Sequence, residues 1–366
     1  LKYLSRIVAY TIAIGPIIGI YKFFIIPIDL ILYFIISIFL IFKSYKFDIK
    51  LFIILLFFLI VGIFSVASNI YATESYLYNN SIIALIYFFL FCYLIKNADK
   101  KYFSIAINNL TIMSSIIIII QSIGYLFFNN PIHFHLPFSL IELEDVYKPS
   151  IEFGRPNSVF LEPSHFTIYT LPVLYICLKE NKYYRALLIF IAIILSTSTT
   201  GFSISLLIII YYFLFRKKKI LLSIISTLVV YIFSIFLNNV FLRNFEKLDS
   251  DNMLSNVRIF GTTEIVDYVI NNNLYFGIGL NQISSVFYNA SNYANSYFMI
   301  FISYGVVGIV VLLVLFNYLY TLNKDKLYLF IMLLIMFSDQ IIFNRNFFYL
   351  ISIIYLIKPI KLYDEK

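Results

Sequence analysis

About twelve apolar stretches run through this chain, and they leave it few folds to choose from. They lie near 6–20, 26–42, 51–67, 81–95, 103–124, 163–178, 184–196, 201–215, 220–237, 296–320, 327–343 and 347–358. A helix of about 20 apolar residues crosses the roughly 30 Å hydrocarbon core of a bilayer, and fewer suffice where packing or thinning allows. Charged residues make up 13% of the 366-residue chain, against about 25% in soluble domains. Apolar residues make up 61%, and the mean hydropathy is +0.91. Too little polar surface remains to cover a water-soluble globule. Soluble enzyme folds, secreted disulfide scaffolds and disordered chains are therefore excluded. The expected fold is all-α: a polytopic membrane bundle of about 12 transmembrane helices forming one integral membrane domain over 1–366. No soluble domain, 20–50-residue repeat or low-complexity tail interrupts it.

The runs 184–196 and 201–215 are the shortest consecutive pair, at about 22 Å per leg with 1.5 Å rise per residue. They read as two short spans or as a hairpin bent at Ser196-Thr197-Ser198-Thr199-Thr200-Gly201. No small-residue cleavage site follows the first run, so it reads as a retained anchor. Cys92 and Cys177 both lie inside apolar runs without a CxxC spacing, which suits small buried side chains. With no Trp and 32 Tyr, tyrosine must supply any interfacial aromatic belt.

Orientation follows from Lys and Arg, which accumulate in cytoplasmic loops. Starting inside and alternating, the inner segments collect 20 of the 27 basic residues, and seven fall outside: Lys22, Lys148, Arg155, Arg243, Lys247, Arg258 and Arg345. Both termini are thus expected in the cytoplasm. The net charge of +8 is scattered over short loops, so nucleic acid is not an expected partner. The external basic residues, by contrast, lack a topological reason. Two external loops, 125–162 and 238–295, are also longer than a connection requires, which points to function there.

In the first loop, Pro131, Pro137, Pro149, Pro156 and Pro163 prevent any long helix. Glu162-Pro163 opens the run 163–178, with proline suited to the first helical turn. Glu162 therefore sits at the positive end of a helix dipole. Two roles suit it: an anion that stabilises the helix end, or a partly desolvated carboxylate raised towards general-base range. His165, one turn in, suits a cap or a partner of Glu162. His133 and His135 lack a third ligand at zinc spacing, so no metal is expected. Glu142, Glu144, Asp145 and Glu152 read as a solvated acidic face.

In the second loop, residues 256–270 form an amphipathic pattern, started or interrupted near Gly261, that suits a helix on the membrane surface. Arg258 would then stand at headgroup level, where its guanidinium can bind phosphate through two hydrogen bonds or simply snorkel. Asn271-Asn272-Asn273 with Gly277 and Gly279 reads as a turn-rich return to the membrane. Gly305 and Gly308 in the following run suggest close helix packing.

Arg155-Pro156-Asn157-Ser158-Val159-Phe160-Leu161-Glu162-Pro163-Ser164 entering a span resembles the O-antigen and capsular polysaccharide repeat-unit polymerases (Wzy-type) and the related O-antigen ligases. Arg258, Gly277-Ile278-Gly279, Asn295 and Gly305 to Gly308 resemble that superfamily's second-loop signature. The Ser/Thr-Gly turn at 196–201 stands where the family carries a Ser-Arg-Gly-like segment but has no Arg, so no role for an arginine there carries over. Ala294 precedes Asn295 where the ligase branch tends to have His, which favours polymerase.

The resemblance implies a membrane glycosyltransferase of GT-C-like architecture in the bacterial cytoplasmic membrane. It would join oligosaccharides carried on undecaprenyl diphosphate, as both donor and acceptor, at the external face. It implies inversion at the anomeric carbon, no metal or other cofactor, and a chain-length regulator protein as partner. Arg155, Arg258, Arg243 and Arg345 would bind the diphosphate, Asn295 the substrate, and Glu162, His165 and Arg258 would be catalytic. Asp249-Ser250-Asp251 has the form of a sugar-nucleotide motif but reads as loop, because no sugar nucleotide is present outside. The alternatives are an O-antigen ligase and a lipid-linked oligosaccharide flippase or transporter. Against transport, ionisable residues here occupy loops and span ends rather than midplanes, with Asp29 and Asp339 the nearest exceptions.

Overall fold

The computed structural model describes residues 2–23, 26–42, 46–68, 74–128, 132, 134, 139–140, 155–213, 263–279, 282, 295–323 and 325–357. The run at 220–237, Arg243, Arg258, His133, His135, the acidic residues 142–152, Asp249 to Asp251 and Ala294 lie outside these residues. The described residues are overwhelmingly helical: α1 Lys2–Ile18, α2 Ile28–Ile41, α3 Ile49–Ser68, α4 Glu74–Asn97, α5 Lys100–Phe128, α6 Pro163–Lys179, α7 Tyr183–Leu195, α8 Thr199–Tyr211, α9 Thr263–Asn272, α10 Ser296–Leu322, α11 Lys326–Ser338 and α12 Arg345–Leu356. Eleven of these coincide with expected apolar runs, while α9 answers to the amphipathic pattern. By length and hydropathy, α3, α5 and α10 are each able to cross a membrane alone, and shorter apolar helices accompany them. The chain is an all-α membrane helix bundle.

Three short strands were not expected. β1 (Tyr21–Phe23) pairs antiparallel with both β2 (Ile26–Pro27) and β3 (Ser139–Leu140). The connection between α1 and α2 thus anchors the middle of the first long loop, through the register Tyr21 to Leu140 and Lys22 to Ser139.

The chain divides into two compact units. One comprises Leu1–Ile12, Leu30–Phe103 and Leu254–Lys366; the other comprises Ala13–Asp29 and Ser104–Met253. In the first, α3 packs on α4 and α10, and α10 packs on α9, α11 and α12. Asp48 joins four of these helices at one end. Its carboxylate caps α3 by accepting from Leu51 N at 3.0 Å and accepts from the hydroxyls of Tyr318 (3.0 Å) and Tyr355 (2.8 Å). Lys96 of α4 donates to the Tyr355 hydroxyl at 2.8 Å. A buried carboxylate needs such partners, since leaving it unpaired is strongly destabilising.

The helix α10 is not continuous. Gly305 adopts φ 61° and ψ −156° within it, and the segment Leu274–Gly279, which begins in a turn, lies in the break. Ile278 N donates to Ile302 O (2.8 Å) and Gly279 N to Ser303 O (3.0 Å), while Val306 N and Val307 N donate to Leu274 O (3.0 Å) and Tyr275 O (3.2 Å). Ser65 of α3 donates its hydroxyl to the carbonyls of Val61 and Phe276. Irregular backbone at membrane depth persists only where its polar groups find partners, and here a second stretch of backbone supplies them. Gly277 and Gly305 have no alternative. A Cβ on Gly277 would stand 2.4 Å from Ile302 O, and one on Gly305 would stand 2.4 Å from Tyr275 O. Close packing was expected of Gly305; its neighbour proves to be a loop backbone rather than another helix.

Ile265 and Val269 of α9 are buried inside the protein, on the helix that packs against α10. Part of the apolar stripe expected to lie on the membrane surface thus faces protein.

In the second unit, α6 packs on α7 and α8 and is buried on nearly all sides from Phe166 to Leu178. Helices α7 and α8 form a hairpin with legs of 13 residues each, about 20 Å. Its turn is buried at Ser196, Thr197 and Ser198. Thr167 Oγ1 lies 3.3 Å from Ser198 Oγ, and Gly201 admits the Thr167 side chain where a Cβ would approach it to 2.3 Å. Since Thr167 is five residues past Glu162, the hairpin turn lies about 7 Å short of the start of α6.

Candidate functional site

The stretch Arg155–His165 of the second unit forms a tight turn that feeds directly into α6. Asn157 brackets it: its carbonyl accepts from Phe160 N at 3.1 Å, and its Nδ2 donates to Leu161 O at 3.0 Å. Between them Ser158 adopts φ 59°, a left-handed conformation that costs a non-glycine residue about 1–3 kcal/mol and persists only where surroundings enforce it. The side chain of Gln121, on α5, does the enforcing. Its Oε1 accepts from Ser158 N (2.8 Å), and its Nε2 donates to Ser158 O (3.4 Å) and Ile132 O (3.1 Å). Phe160 packs on Phe166 and Tyr169 with ring centroids 6.1 and 5.4 Å apart. Tyr169 in turn donates its hydroxyl to Ala13 O at 2.9 Å. Leu161 packs with Ile20 and Tyr21 at the base of the small sheet. The turn is therefore fixed on three sides by apolar and polar contacts before it reaches its charged residues.

Glu162 is the N-cap of α6 in position and extended in backbone (φ −132°, ψ 155°), yet its side chain makes no capping hydrogen bond. Its Oε2 instead accepts from the Ser164 hydroxyl at 3.0 Å. His165 was expected as a partner of Glu162; the hydrogen bond described at that carboxylate comes from Ser164. Pro163 at the first helical position removes one N–H. The N–H groups of Ser164 and His165 lie in the first turn, where a side-chain cap is absent. Arg155, Glu162, Ser164 and His165 are all partly exposed. A carboxylate, a guanidinium and an uncapped helix start are thus collected within eleven residues. Asn157 Oδ1 and Ser158 Oγ are buried without a hydrogen-bond partner among the described residues.

The first unit holds Asn295 and Arg345, each at a helix start. Asn295 Oδ1 accepts from Phe298 N at 3.0 Å and so caps α10; the residue is 2% exposed. The expectation of Asn295 as a substrate-binding side chain therefore meets a carboxamide oxygen already occupied by its own helix. Arg345 opens α12, behind Asn344, whose Oδ1 accepts from Phe347 N at 3.2 Å. Helix starts favour anions and disfavour cations, so the first turn of α12 concentrates positive potential. The two helix starts are joined: Ser296 Oγ donates to Asp339 O (2.7 Å) and accepts from Ile341 N (2.9 Å). Phe343, with φ 57°, drives its ring between Phe58, Phe88, Tyr304 and Phe347 at centroid distances of 4.9, 5.7, 5.9 and 5.8 Å.

Arg155, Glu162 and His165 thus share the turn into α6, while Asn295 and Arg345 share one end of the other unit. Ser164, Asn157 and Gln121 were not singled out from the sequence. A signal existed for each: a hydroxyl two residues past an N-cap acid, an Asn in a proline-rich turn, and one amide directly after the run Ile116–Ile120. Among the described residues no group of His, Cys, Asp and Glu is arranged to hold a metal ion.

Residues 185–313 match the family model described as O-antigen ligase. No curated protein matches the chain. The matched stretch runs from α7 into α10 and contains Gly277, Asn295 and Gly305, whereas Arg155, Glu162, His165 and Arg345 lie outside it. That stretch, about a third of the chain, is thus similar to the O-antigen ligase family.

Proposed function

We propose that the protein polymerises oligosaccharide repeat units carried on undecaprenyl diphosphate, at the external face of the bacterial cytoplasmic membrane and with inversion at the anomeric carbon. The observation that carries the reading is Glu162, a carboxylate at a helix start that is held by Ser164 instead of capping its own helix. In this role Glu162 takes the proton of the acceptor sugar hydroxyl as that oxygen attacks the anomeric carbon. The bond from that carbon to the diphosphate oxygen breaks, and the lipid diphosphate leaves with the electron pair. Preorganised positive groups stabilise the departing charge. Arg155 and the N–H groups at the start of α6 serve this near the turn. Arg258, Arg243 and Arg345 are the further guanidiniums assigned to diphosphate, and His165 is the second candidate for proton transfer. The chemistry asks for no metal or other cofactor. A chain-length regulator is the expected protein partner, and both termini are placed in the cytoplasm.

The family description favours ligase as the second reading, in which the acceptor is a lipid-anchored core sugar instead of another repeat unit. Ala294, standing where ligases tend to carry His, weighs for polymerase. Transport would be favoured by the broken helix α10, since half-helix ends often bind substrate and ions in transporters. In this chain, however, the carbonyls of Ile302 and Ser303 and the N–H groups of Val306 and Val307 are occupied by Leu274–Gly279.

The test is complementation of a strain that lacks its repeat-unit polymerase and is supplied with the matching repeat-unit genes. Wild type should give a polymer ladder on a gel. Arg155→Ala, Glu162→Ala and Arg258→Ala, at equal membrane levels, should collapse it to a single repeat unit. A wild type that leaves single units unextended but changes their attachment or export would overturn polymerisation in favour of ligation or transport.

A further inference from the structure

We infer that Gln121 is a positioning residue: through its carboxamide it fastens both stems of the first long loop to α5 and so sets where Arg155 and Glu162 stand. The inference rests on the proposed role of those two residues in glycosyl transfer.

A carboxamide offers one acceptor oxygen and two N–H donors, and Gln121 directs both kinds of group at main chain outside its own helix. Ser158 meets it twice, N–H to Oε1 and carbonyl to Nε2, in the manner of a strand pair, and Ile132 O receives the remaining contact. Ile132 and Ser158 are the two stems of the loop, so one side chain closes a loop of more than twenty residues. Ser158 is three residues after Arg155 and four before Glu162, which places the clamp between the cation and the carboxylate.

Ser158 needs such an external hold. Its φ is 59°, and its own hydroxyl has no partner among the described residues. The neighbouring Ser122 does not share the task, since its hydroxyl donates to Ile118 O of α5. Gln121 is 4% exposed and, with its carboxamide engaged on main chain, acts through the turn and not on the sugar.

The test uses full-length protein in membranes supplied with lipid-diphosphate-linked repeat units, comparing wild type with Gln121→Met, Gln121→Glu and the double variant Gln121→Met/Ser158→Gly. A catalytic group displaced by about 1 Å can cost on the order of 100-fold in rate. Gln121→Met should therefore lower kcat tenfold or more and leave KM for the lipid-linked donor within about twofold. Gln121→Glu keeps the acceptor for Ser158 N and loses the donors, so its kcat should be intermediate. Glycine adopts positive φ without strain, so Ser158→Gly should restore part of the kcat lost in Gln121→Met.

Limited proteolysis in detergent gives a second readout that needs no activity. Gln121→Met should be cut between residues 132 and 158 at least tenfold faster than wild type. Unchanged kcat in Gln121→Met, or in Gln121→Glu should the former not accumulate, overturns the positioning role, and an unchanged cleavage rate overturns the clamp. Arg155→Ala and Glu162→Gln are run alongside. If they retain full repeat-unit transfer, the functional reading fails, and proteolysis alone decides whether the clamp exists. If they lose transfer while Gln121→Met keeps it, only the positioning inference fails.

Discussion

The turn at Arg155–His165 and the break in α10 at Gly305 are both irregular, both hold a residue at positive φ, and both adjoin buried helices. Their freed backbone groups are treated in opposite ways. At the break, the freed carbonyls of Ile302 and Ser303 and the N–H groups of Val306 and Val307 meet backbone partners from Leu274–Gly279, and the glycines leave no room for anything else. At the turn, the N-cap carboxylate of Glu162 leaves its helix uncapped; buried side-chain atoms without partners among the described residues occur in both places, Asn157 Oδ1 and Ser158 Oγ at the turn and Ser303 Oγ at the break. Unsatisfied buried polar atoms cost about 1–3 kcal/mol each and are rare enough to call for a reason. The contrast separates an irregularity whose freed backbone groups are paired with a second stretch of backbone from one that leaves a helix start without its side-chain cap. It also shows why a helix break alone is a poor guide to a binding site.

The contrast breaks most visibly at the glycines. Gly305→Ala and Gly277→Ala each force a methyl to within 2.4 Å of a backbone oxygen at a left-handed position, and either should cost at least about 3 kcal/mol. The expected result is loss of folded protein, read as loss of the thermal unfolding transition in detergent. Gly62→Ala, whose methyl comes nearest to one edge atom of the Tyr304 ring, at 3.0 Å, should cost about 1 kcal/mol. A stable, active Gly305→Ala would show that Leu274–Gly279 does not hold the break.

At the turn the effects should move to activity. Glu162→Gln should lower repeat-unit transfer by roughly 100- to 10,000-fold while changing unfolding stability by less than about 0.5 kcal/mol, because no cap is lost. A stability loss matching the activity loss would return Glu162 to a purely structural role. Ser164→Ala removes the hydroxyl that holds the carboxylate at 3.0 Å. Its rate per folded molecule should fall about tenfold, since a hydrogen bond to a charged group is worth roughly 1.5–3 kcal/mol; an unchanged rate would mean that Glu162 needs no such support.

Most helices were legible in the sequence because lipid and packed interior both demand apolar residues over long stretches, so apolar runs mark every one of α1 to α12 except α9, which an amphipathic pattern marks. Glu162 was legible for a local reason, since proline after an acid marks a helix start. Contacts between distant segments were not. Gly277 read as part of a turn and Gly305 as a close helix contact, but nothing in either motif states that the backbone around one meets the backbone around the other. Gln121 lies 37 residues from Ser158, and an amide at the end of an isoleucine run announces only that it needs a partner. The strand pair between Tyr21 and Leu140 escaped for the same reason, being too short to carry an alternating pattern. The hairpin of α7 and α8 was half legible: its length was evident, but its depth depends on Thr167 meeting Ser198 and Gly201.

Asn295 gives the smallest effect and sharpens the comparison from the other side. Its expected role was substrate binding, yet its Oδ1 caps α10, as Asn344 caps α12. Asn295→Ala should cost about 1 kcal/mol of stability and leave transfer per folded molecule unchanged. Asn295→Asp isolates the two roles, because aspartate caps a helix as well as asparagine does but adds negative charge and removes the amide donor. If the cap is the whole role, Asn295→Asp keeps both stability and transfer. If the side chain also meets a diphosphate, the new carboxylate repels it, and transfer falls while the unfolding midpoint holds. That second result would place Asn295 with Glu162, among the helix-start residues that serve the reaction as well as the fold.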